Sequence, residues 1–381
     1  MPRPVYYHEG KFPPPELDWS RLIPFIGPAN AAVARYDGIL SAVPNANVLL
    51  TPLMTQEAVL SSRIEGTQAT FGEVLEYEAE QDSSRFSPER KEDIGEILNY
   101  RRAMHAALDM LKELPLCQRV IKGAHEVLLQ GVRGTGRSPG EYRKGPNWIG
   151  SPGCSFEEAT FVPISAEKLP DAMRIWEEYI HAQAQDKLVQ LALLHAEFEA
   201  LHPFLDGNGR LGRMFVPLFM AQVGLISSPM FYISAYFEAR RDGYYERLLA
   251  VSRDNDWTGW SMFFLQAVQA QAEDNLRKAQ AILSLYDSLK HRFAQLTHSQ
   301  YAIHALDWIF QRPIFKSSDF INEPLIPEGS LKRILRILKK EQIIQEVIRS
   351  GGRRSAVLAL PSLLRAAEHG DDFVDHVLST N

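Results

Sequence analysis

The sequence predicts a mainly α-helical fold carrying two small β-hairpins, and three observations point to it. Apolar residues recur at helical spacing in run after run, set among Ala, Glu, Gln and Leu, which favour helix. Strand-prone pieces are confined to two Gly-containing stretches, 147–149 with 160–162 and 343–349 with 354–360. Between two of the clearest helical runs lies a polar, glycine-rich junction, His202 to Arg213, with the character of a helix–loop–helix turn.

Taken in order, residues 1–30 carry Pro13, Pro14, Pro15, Pro24 and Pro28, and are expected to form an extended arm lying on the first domain. A short helix follows over 29–40. Pro52, after Thr51, suits a first helical position and opens a helix through Ile64, with Leu53, Glu57, Leu60 and Ile64 on related faces. It ends at Glu65-Gly66, where glycine suits the C-cap. A helix is expected over 70–80, another from Ser87-Pro88-Glu89 to about 113, and another over 116–129. From Gly131 to Pro163 glycine and proline accumulate, and the two strand-prone pieces there predict a hairpin. Residues 167–184 form a helix whose stripe of Leu169, Met173, Trp176 and Ile180 is core.

Residues 188–201 place Leu188, Leu191, Leu194, His195, Phe198 and Leu201 at helical intervals; 211–225 is again helical, with Pro217 expected to kink or shorten it. Helices over 239–252 and 257–276 follow, the second continuing as a connecting helix to 296. From Ser299 the pattern changes to helices at 301–310 and 316–321, a turn at 324–329, and a helix at 330–341 N-capped by Ser330. A hairpin turning at Gly351-Gly352 closes the series. Three segments result: an N-terminal helical region (1–90), a core (91–296) and a C-terminal domain (297–381).

The junction reads His202-Pro203-Phe204-Leu205-Asp206-Gly207-Asn208-Gly209-Arg210-Leu211-Gly212-Arg213. Glycines let backbone N–H groups approach a ligand, and the helix that follows offers unpaired N–H groups and a positive dipole end. Arg210 and Arg213 share a helical face and could clamp phosphate oxygens, while Asp206 could hold Mg²⁺ against them. These features predict a phosphate site. Gly207, Gly209 and Gly212 also match the dinucleotide fingerprint, but that pattern must follow a strand, and the preceding run is helical. P-loop spacing fails too, because Arg213-Met214 stands where Lys and Ser/Thr are required. His195, seven residues before His202, lacks companions at zinc spacing and reads as a buried, hydrogen-bonded histidine.

The run resembles the Fic motif, H-x-F-x-[DE]-G-N-G-R-x-x-R, at every defined position: His202, Phe204, Asp206, Gly207, Asn208, Gly209, Arg210 and Arg213. That resemblance covers about residues 10–295 and implies a Fic-type helical bundle transferring AMP from ATP to a Ser, Thr or Tyr hydroxyl of a target protein. It implies His202 as general base, Asp206 as Mg²⁺ ligand, and the stretch Gly207, Asn208, Gly209, Arg210, Leu211, Gly212 and Arg213 as the ATP phosphate site. Phe204 would pack and fix the loop. Ser61 to Gly66 resembles the inhibitory motif [ST]-x-x-x-E-[GN] of one subclass, which implies that Glu65 competes with the γ-phosphate for Arg213. The hairpin resembles the family's flap, which aligns a target segment by strand addition, with Ile149 and Gly150 in it. Tyr244 and Tyr245 fall on the helix that lines the adenine and ribose pocket in relatives, and Ser252 stands where some of them have Asn. The order of elements after Ser299 resembles a winged helix-turn-helix.

Composition bounds these readings. With 381 residues, 45% hydrophobic and 23% charged, the chain has the make-up of a globular protein of two or three domains. A net charge of −6 gives no support to a globally basic nucleic-acid binder. Locally, Lys332, Arg333, Arg336, Lys339 and Lys340 make one C-terminal helix basic, Arg349, Arg353 and Arg354 add to it, and acidic residues after Glu368 oppose it. Cys117 and Cys154 lack metal spacing and point to a reducing compartment. With no membrane-length apolar run and no signal-peptide pattern, a cytoplasmic location is expected.

The expected partners are ATP, with Mg²⁺ as cofactor, and an unidentified target protein. The chain itself is expected as a self-modified substrate or as the second copy of a homodimer, and nucleic acid as a partner of the C-terminal domain; no membrane partner is expected. Two alternatives compete: transfer of UMP, phosphocholine or a γ-phosphate, or removal of AMP, within the same family; and a transcriptional regulator that uses its Fic core as a nucleotide sensor.

Overall fold

The computed structural model describes residues 4–42, 51–79, 85–132, 136–151, 153–350 and 355–369. Glu80, Gly351, Gly352, Arg353, Arg354 and the acidic end of the chain lie outside the described residues. The fold is mainly α-helical with small sheets. Its contacts form two units, one of Met1–Gly38, Leu60–Thr67 and Gly95–Glu273, the other of Ile39–Val59, Gln68–Ile94 and Asp274–Asn381. No described helix is long and apolar enough to cross a membrane.

In the first unit the N-terminal arm adds a strand, β1 (Val5–Tyr6), before helix α1 (Trp19–Ala42). The expectation of an extended arm as far as residue 30 fails here. Pro24 and Pro28 lie inside α1, because Leu22, Ala29, Val33 and Tyr36 form a buried helical stripe. Burial of that stripe outweighs the local disruption each proline causes. Helix α2 (Thr51–Ile64) ends at the predicted glycine. Gly66, at φ +106°, donates to Arg63 O, and Thr67 N donates to Ser62 O, the paired bonds of a Schellman cap. Glu65 is therefore the last residue of the turn.

Helices α3 (Phe71–Ala79), α4 (Pro88–Met110), α5 (Gln118–Leu128) and α6 (Leu169–Ile180) fall where the sequence expects them. The predicted stripe of α6 is buried. The hairpin between α5 and α6 is smaller than expected. Strand β2 (Phe161–Val162) meets Ile149 in a single antiparallel bridge, and its other edge pairs in parallel with β1. No pattern in the sequence points to that second pairing, which joins residues far apart in the chain.

At the centre stands α7 (Lys187–Leu201), N-capped by Asp186, whose carboxylate accepts from Val189 N at 2.9 Å. It is buried on nearly all sides. Indoles of Trp176 and Trp260 donate to its carbonyls at Leu194 and Ala192, at 2.9 and 2.7 Å. Helix α8 (Asn208–Gln222) packs against it and runs on through Pro217. Helices α9 (Ser234–Ala239), α10 (Arg241–Asp254) and α11 (Trp257–Thr297) follow. The arm is fastened to this core by a buried cluster. His8 contacts Ser252 Oγ at 2.7 Å and the Glu197 carboxylate at 2.8 Å, and the Tyr7 hydroxyl donates to Glu197 at 2.6 Å.

In the second unit, helices α12 (Ala302–Gln311), α13 (Ser317–Ile321), α14 (Glu328–Lys340) and α15 (Pro361–His369) accompany a three-stranded sheet. The predicted hairpin is present as β4 (Gln345–Ile348) and β5 (Val357–Ala359), and an unforeseen β3 (Ile314–Lys316) gives the order β3-β5-β4. Helix α14 begins at Glu328, so Ser330 lies inside it and is not its cap. Pro327 ends the preceding turn, and Glu328 suits the helix N-terminus electrostatically.

Candidate active site

His202 caps the C-terminus of α7 in the left-handed region, at φ 45° and ψ 61°. That reversal turns the chain into a five-residue loop, closed by Gly207, at φ +78°, before α8. A β-carbon on Gly207 would lie 3.2 Å from a methyl of Leu128, a tight contact added to the strain of the positive φ. Phe204 is fully buried, stacked on the His125 ring at 3.8 Å, which matches its expected packing role. Asn208 bridges the loop: its Oδ1 accepts from Phe204 N and its Nδ2 donates to Phe204 O, both at 2.9 Å. The side-chain amide, expected as a donor to a ligand, thus uses its oxygen and one of its two N–H groups to fasten the loop.

The imidazole of His202 is half-buried, and burial pushes its pKa down to about 4. It is therefore neutral at pH 7. Nδ1 faces the carbonyl of Glu199 at 3.4 Å and so carries the proton, leaving Nε2 as the nitrogen able to accept one. Asp206 is partly exposed; its Oδ1 accepts from Gly207 N at 2.5 Å and from Arg210 at 3.3 Å, while Oδ2 has no such bond. A single carboxylate oxygen open to solvent fits Mg²⁺, which is bound through one or two carboxylates and substrate phosphates. Among the described residues no cluster of three metal-ligating side chains occurs.

Arg213 is buried and held three ways. Its Nε donates to Ser61 Oγ at 2.9 Å, and Nη2 donates to Ser61 O at 2.9 Å and to Glu65 Oε1 at 2.6 Å. Burial works against the Glu65 carboxylate, but Arg213 beside it, with Arg210 and His202 adding, holds its pKa below the ordinary value. The same oxygen lies over Gly209, where any β-carbon would collide with it. Arg210 sits differently from the expected open clamp. It is buried between Glu96, at 3.2 Å, and Asp206. Leu211 and Gly212 are buried on α8; Gly212 lies against Glu199 and accepts a hydrogen bond from His195 Nδ1 at 3.0 Å.

His195 also accepts from the Tyr244 hydroxyl at 2.9 Å, and burial pushes its pKa down to about 3. It is the buried, hydrogen-bonded histidine the sequence predicts. Tyr244 itself is 1% exposed and stacks on Phe237, so only Tyr245, at 41%, presents a ring surface. Ser252 is engaged by His8 and is not open to a ligand. Ile149 and Gly150 stand at the surface near Trp148 and Phe156.

Sequence reasoning missed four groups around this site. Glu96 holds Arg210. Glu199, one turn before His202, is raised to about 8 by burial, and its Oε1 has no hydrogen-bond partner. His125 accepts from Gly140 N at 2.8 Å through Nδ1 and donates from Nε2 to Asp206 O at 3.0 Å, bracing the loop from below. Arg143 donates to carbonyls at the end of α7. For Glu96, His125 and Arg143 the position carries no sequence signal, because each depends on a partner 15 or more residues away.

The profile of the Fic/DOC family N-terminal region matches residues 23–109, and that of the Fic/DOC family matches residues 115–220. Among solved structures, the chain is similar to a Fic family protein from Desulfovibrio desulfuricans G20, at 19% identity over 92% of this chain and 98% of that one, with a TM-score of 0.56. It is similar also to a Fic domain containing signaling protein from Bacteroides thetaiotaomicron, at 18% identity over 68% and 97% of the two chains, with a TM-score of 0.55. For Fic-1 from C. elegans the figures are 17%, 70%, 76% and 0.50. At such identities these structures speak for the fold. With both family profiles matched and the motif assembled at the junction of α7 and α8, the chain belongs to the Fic/DOC family, whose members are generally transferases.

Proposed function

We propose that this protein transfers AMP from ATP to a hydroxyl side chain of a target protein, and that Glu65 restrains it. The observation that carries the reading is the contact of the Glu65 carboxylate with Arg213 and the face of Gly209. One anionic oxygen, Glu65 Oε1, is received there by a buried guanidinium near the start of a helix, an environment that suits a nucleotide phosphate. A carboxylate and a γ-phosphate cannot share one such arginine.

With Glu65 withdrawn, Arg213 would take the γ-phosphate and the N-terminal amides of α8 the neighbouring oxygens. His202 Nε2 would accept the proton of the target hydroxyl as its oxygen bonds to the α-phosphorus. The bond from that phosphorus to the pyrophosphate oxygen breaks, and its electron pair leaves with pyrophosphate. Asp206 would hold Mg²⁺, which when bound offsets negative charge on the transferring and leaving phosphates.

On α14 two of the basic residues are matched by acids, Lys332 by Glu328 at 2.5 Å and Lys339 by Glu346 at 2.7 Å, so nucleic-acid binding is not the reading best supported there. Incubating the protein with α-labelled and γ-labelled ATP tests the proposal, using Glu65→Gly and Glu65→Gly/His202→Ala. Label from the α position alone should reach protein, falling on the order of 10² to 10⁴-fold without the imidazole. Transfer of the γ label, or transfer that ignores His202, would overturn it.

A further inference from the structure

A buried guanidinium away from the motif holds the reacting histidine. Arg143 lies in the Gly- and Pro-rich segment before the flap, yet it is only 3% exposed. No carboxylate among the described residues lies within ion-pair distance of it. All its partners are backbone carbonyls: Nε donates to His202 O at 2.9 Å, Nη2 to Leu201 O at 3.3 Å and to Ile164 O, and Nη1 to Gly145 O at 3.3 Å. Its own backbone N–H donates to Pro203 O at 3.0 Å. One side chain thereby closes the end of α7, whose last carbonyls have no helical partner, and complements the negative end of that helix dipole. It also ties down the chain on both sides of the flap, at Gly145 before it and Ile164 after it.

We infer that Arg143 is a positioning residue for the transfer reaction, fixing the left-handed turn at His202 relative to the segment that presents the target. This deepens the AMP-transfer reading and rests on it. Three features argue for a role beyond packing. Two of the guanidinium's bonds hold the carbonyls of Leu201 and His202, the latter a non-glycine residue in the left-handed region. The planar fork reaches carbonyls from three segments at once, which a lysine ammonium cannot reproduce. Burial first, and the charge of Arg143 as a smaller contribution, favour the neutral imidazole that can accept a proton. A displacement of about 1 Å at a reacting group can lower rate on the order of 10²-fold, so the turn needs such a clamp.

The test uses Arg143→Gln and Arg143→Lys, each in the Glu65→Gly protein. Measured are the His202 imidazole titration by NMR, assigned with His202→Ala; the α-label transfer rate at saturating nucleotide; nucleotide affinity; and melting temperature. Arg143→Gln should move the imidazole titration to higher pH and slow transfer on the order of 10²-fold with nucleotide affinity unchanged. Arg143→Lys should keep the titration near its original value and recover only part of the rate, and it carries the comparison if the glutamine variant does not fold. An unchanged imidazole titration and transfer rate, with only the melting temperature lowered, would reduce Arg143 to a packing residue. If Glu65→Gly itself transfers no label, the AMP-transfer reading fails, and the imidazole titration alone decides whether Arg143 acts on His202.

Discussion

Arg210 and Arg213 stand one turn apart on α8, both buried, and each meets a carboxylate from a distant helix. Glu96 reaches Arg210 from within α4, with a side chain 9% exposed. Glu65 reaches Arg213 from the C-cap of α2, with a side chain 34% exposed. The first pair is enclosed, and breaking it would strand a buried charge. The second brings a carboxylate to the negative end of its own helix, an unfavourable place for it, and solvent stands ready to receive it on departure. The same chemistry thus gives one enclosed brace and one pair open to solvent, which under the proposed function is the removable plug; the difference lies in exposure and in where along its helix each glutamate sits.

The largest effect expected from breaking this contrast is on the brace. Glu96→Gln should lower the free energy of unfolding by about 3 kcal/mol, since Arg210 keeps only Asp206 as an ionic partner. Urea denaturation of both proteins measures it; a loss no greater than that of Glu65→Gly would erase the distinction between the pairs.

Next comes the plug. Glu65→Gly should cost less stability than Glu96→Gln, since the space vacated by the partly exposed Glu65 side chain opens Arg213 to solvent, while raising α-label transfer. A partly exposed charged hydrogen bond contributes about 1 to 3 kcal/mol, which corresponds to roughly a five- to hundred-fold change in productive nucleotide occupancy. Calorimetric titration with ATP gives the affinity directly, and equal affinity in both proteins would show that Glu65 does not stand in the nucleotide's way.

The smallest effect sharpens the comparison by pH. Glu199 shares the surroundings of Arg213, and burial raises its carboxyl to about 8, well above its ordinary value. A raised carboxyl binds more protons folded than unfolded. Stability is then lost as pH climbs from the unfolded value towards 8, and is level above it. Glu199→Gln removes that titration, so melting temperature should fall less between pH 5 and 8 than in the unaltered protein, by about a few degrees. Parallel curves would mean that Glu199 is solvated in a way its enclosed position does not suggest.

The helical framework and the motif were legible because helical periodicity and a twelve-residue pattern are local. Glu65 was legible for the same reason: its glycine cap and Ser61 are neighbours in sequence. Where local signals conflicted with packing, the reading went astray. Pro24 and Pro28 spoke for an extended arm, and the buried stripe of α1 prevailed. Asn208 looked like a ligand donor, although Phe204, four residues earlier, lay within reach of an amide bridge. Arg143 lies in a loop-like stretch, and nothing in its neighbouring sequence marks it for burial. Its burial follows from carbonyls that the fold leaves open, and those exist only once α7 has ended at His202.

The cluster of Tyr7 and His8 with Glu197 and Ser252 has a further consequence, one of timing. Its bonds join residues 189, 190 and 244 positions apart, and β1 waits likewise for β2. On a ribosome the arm emerges before α7 and α10, and none of these partners exists until those helices have been made. The arm is thus among the last of these segments to find its place. The helices that bear the motif must assemble without it, and contacts of such long loop closure are those that slow folding the most.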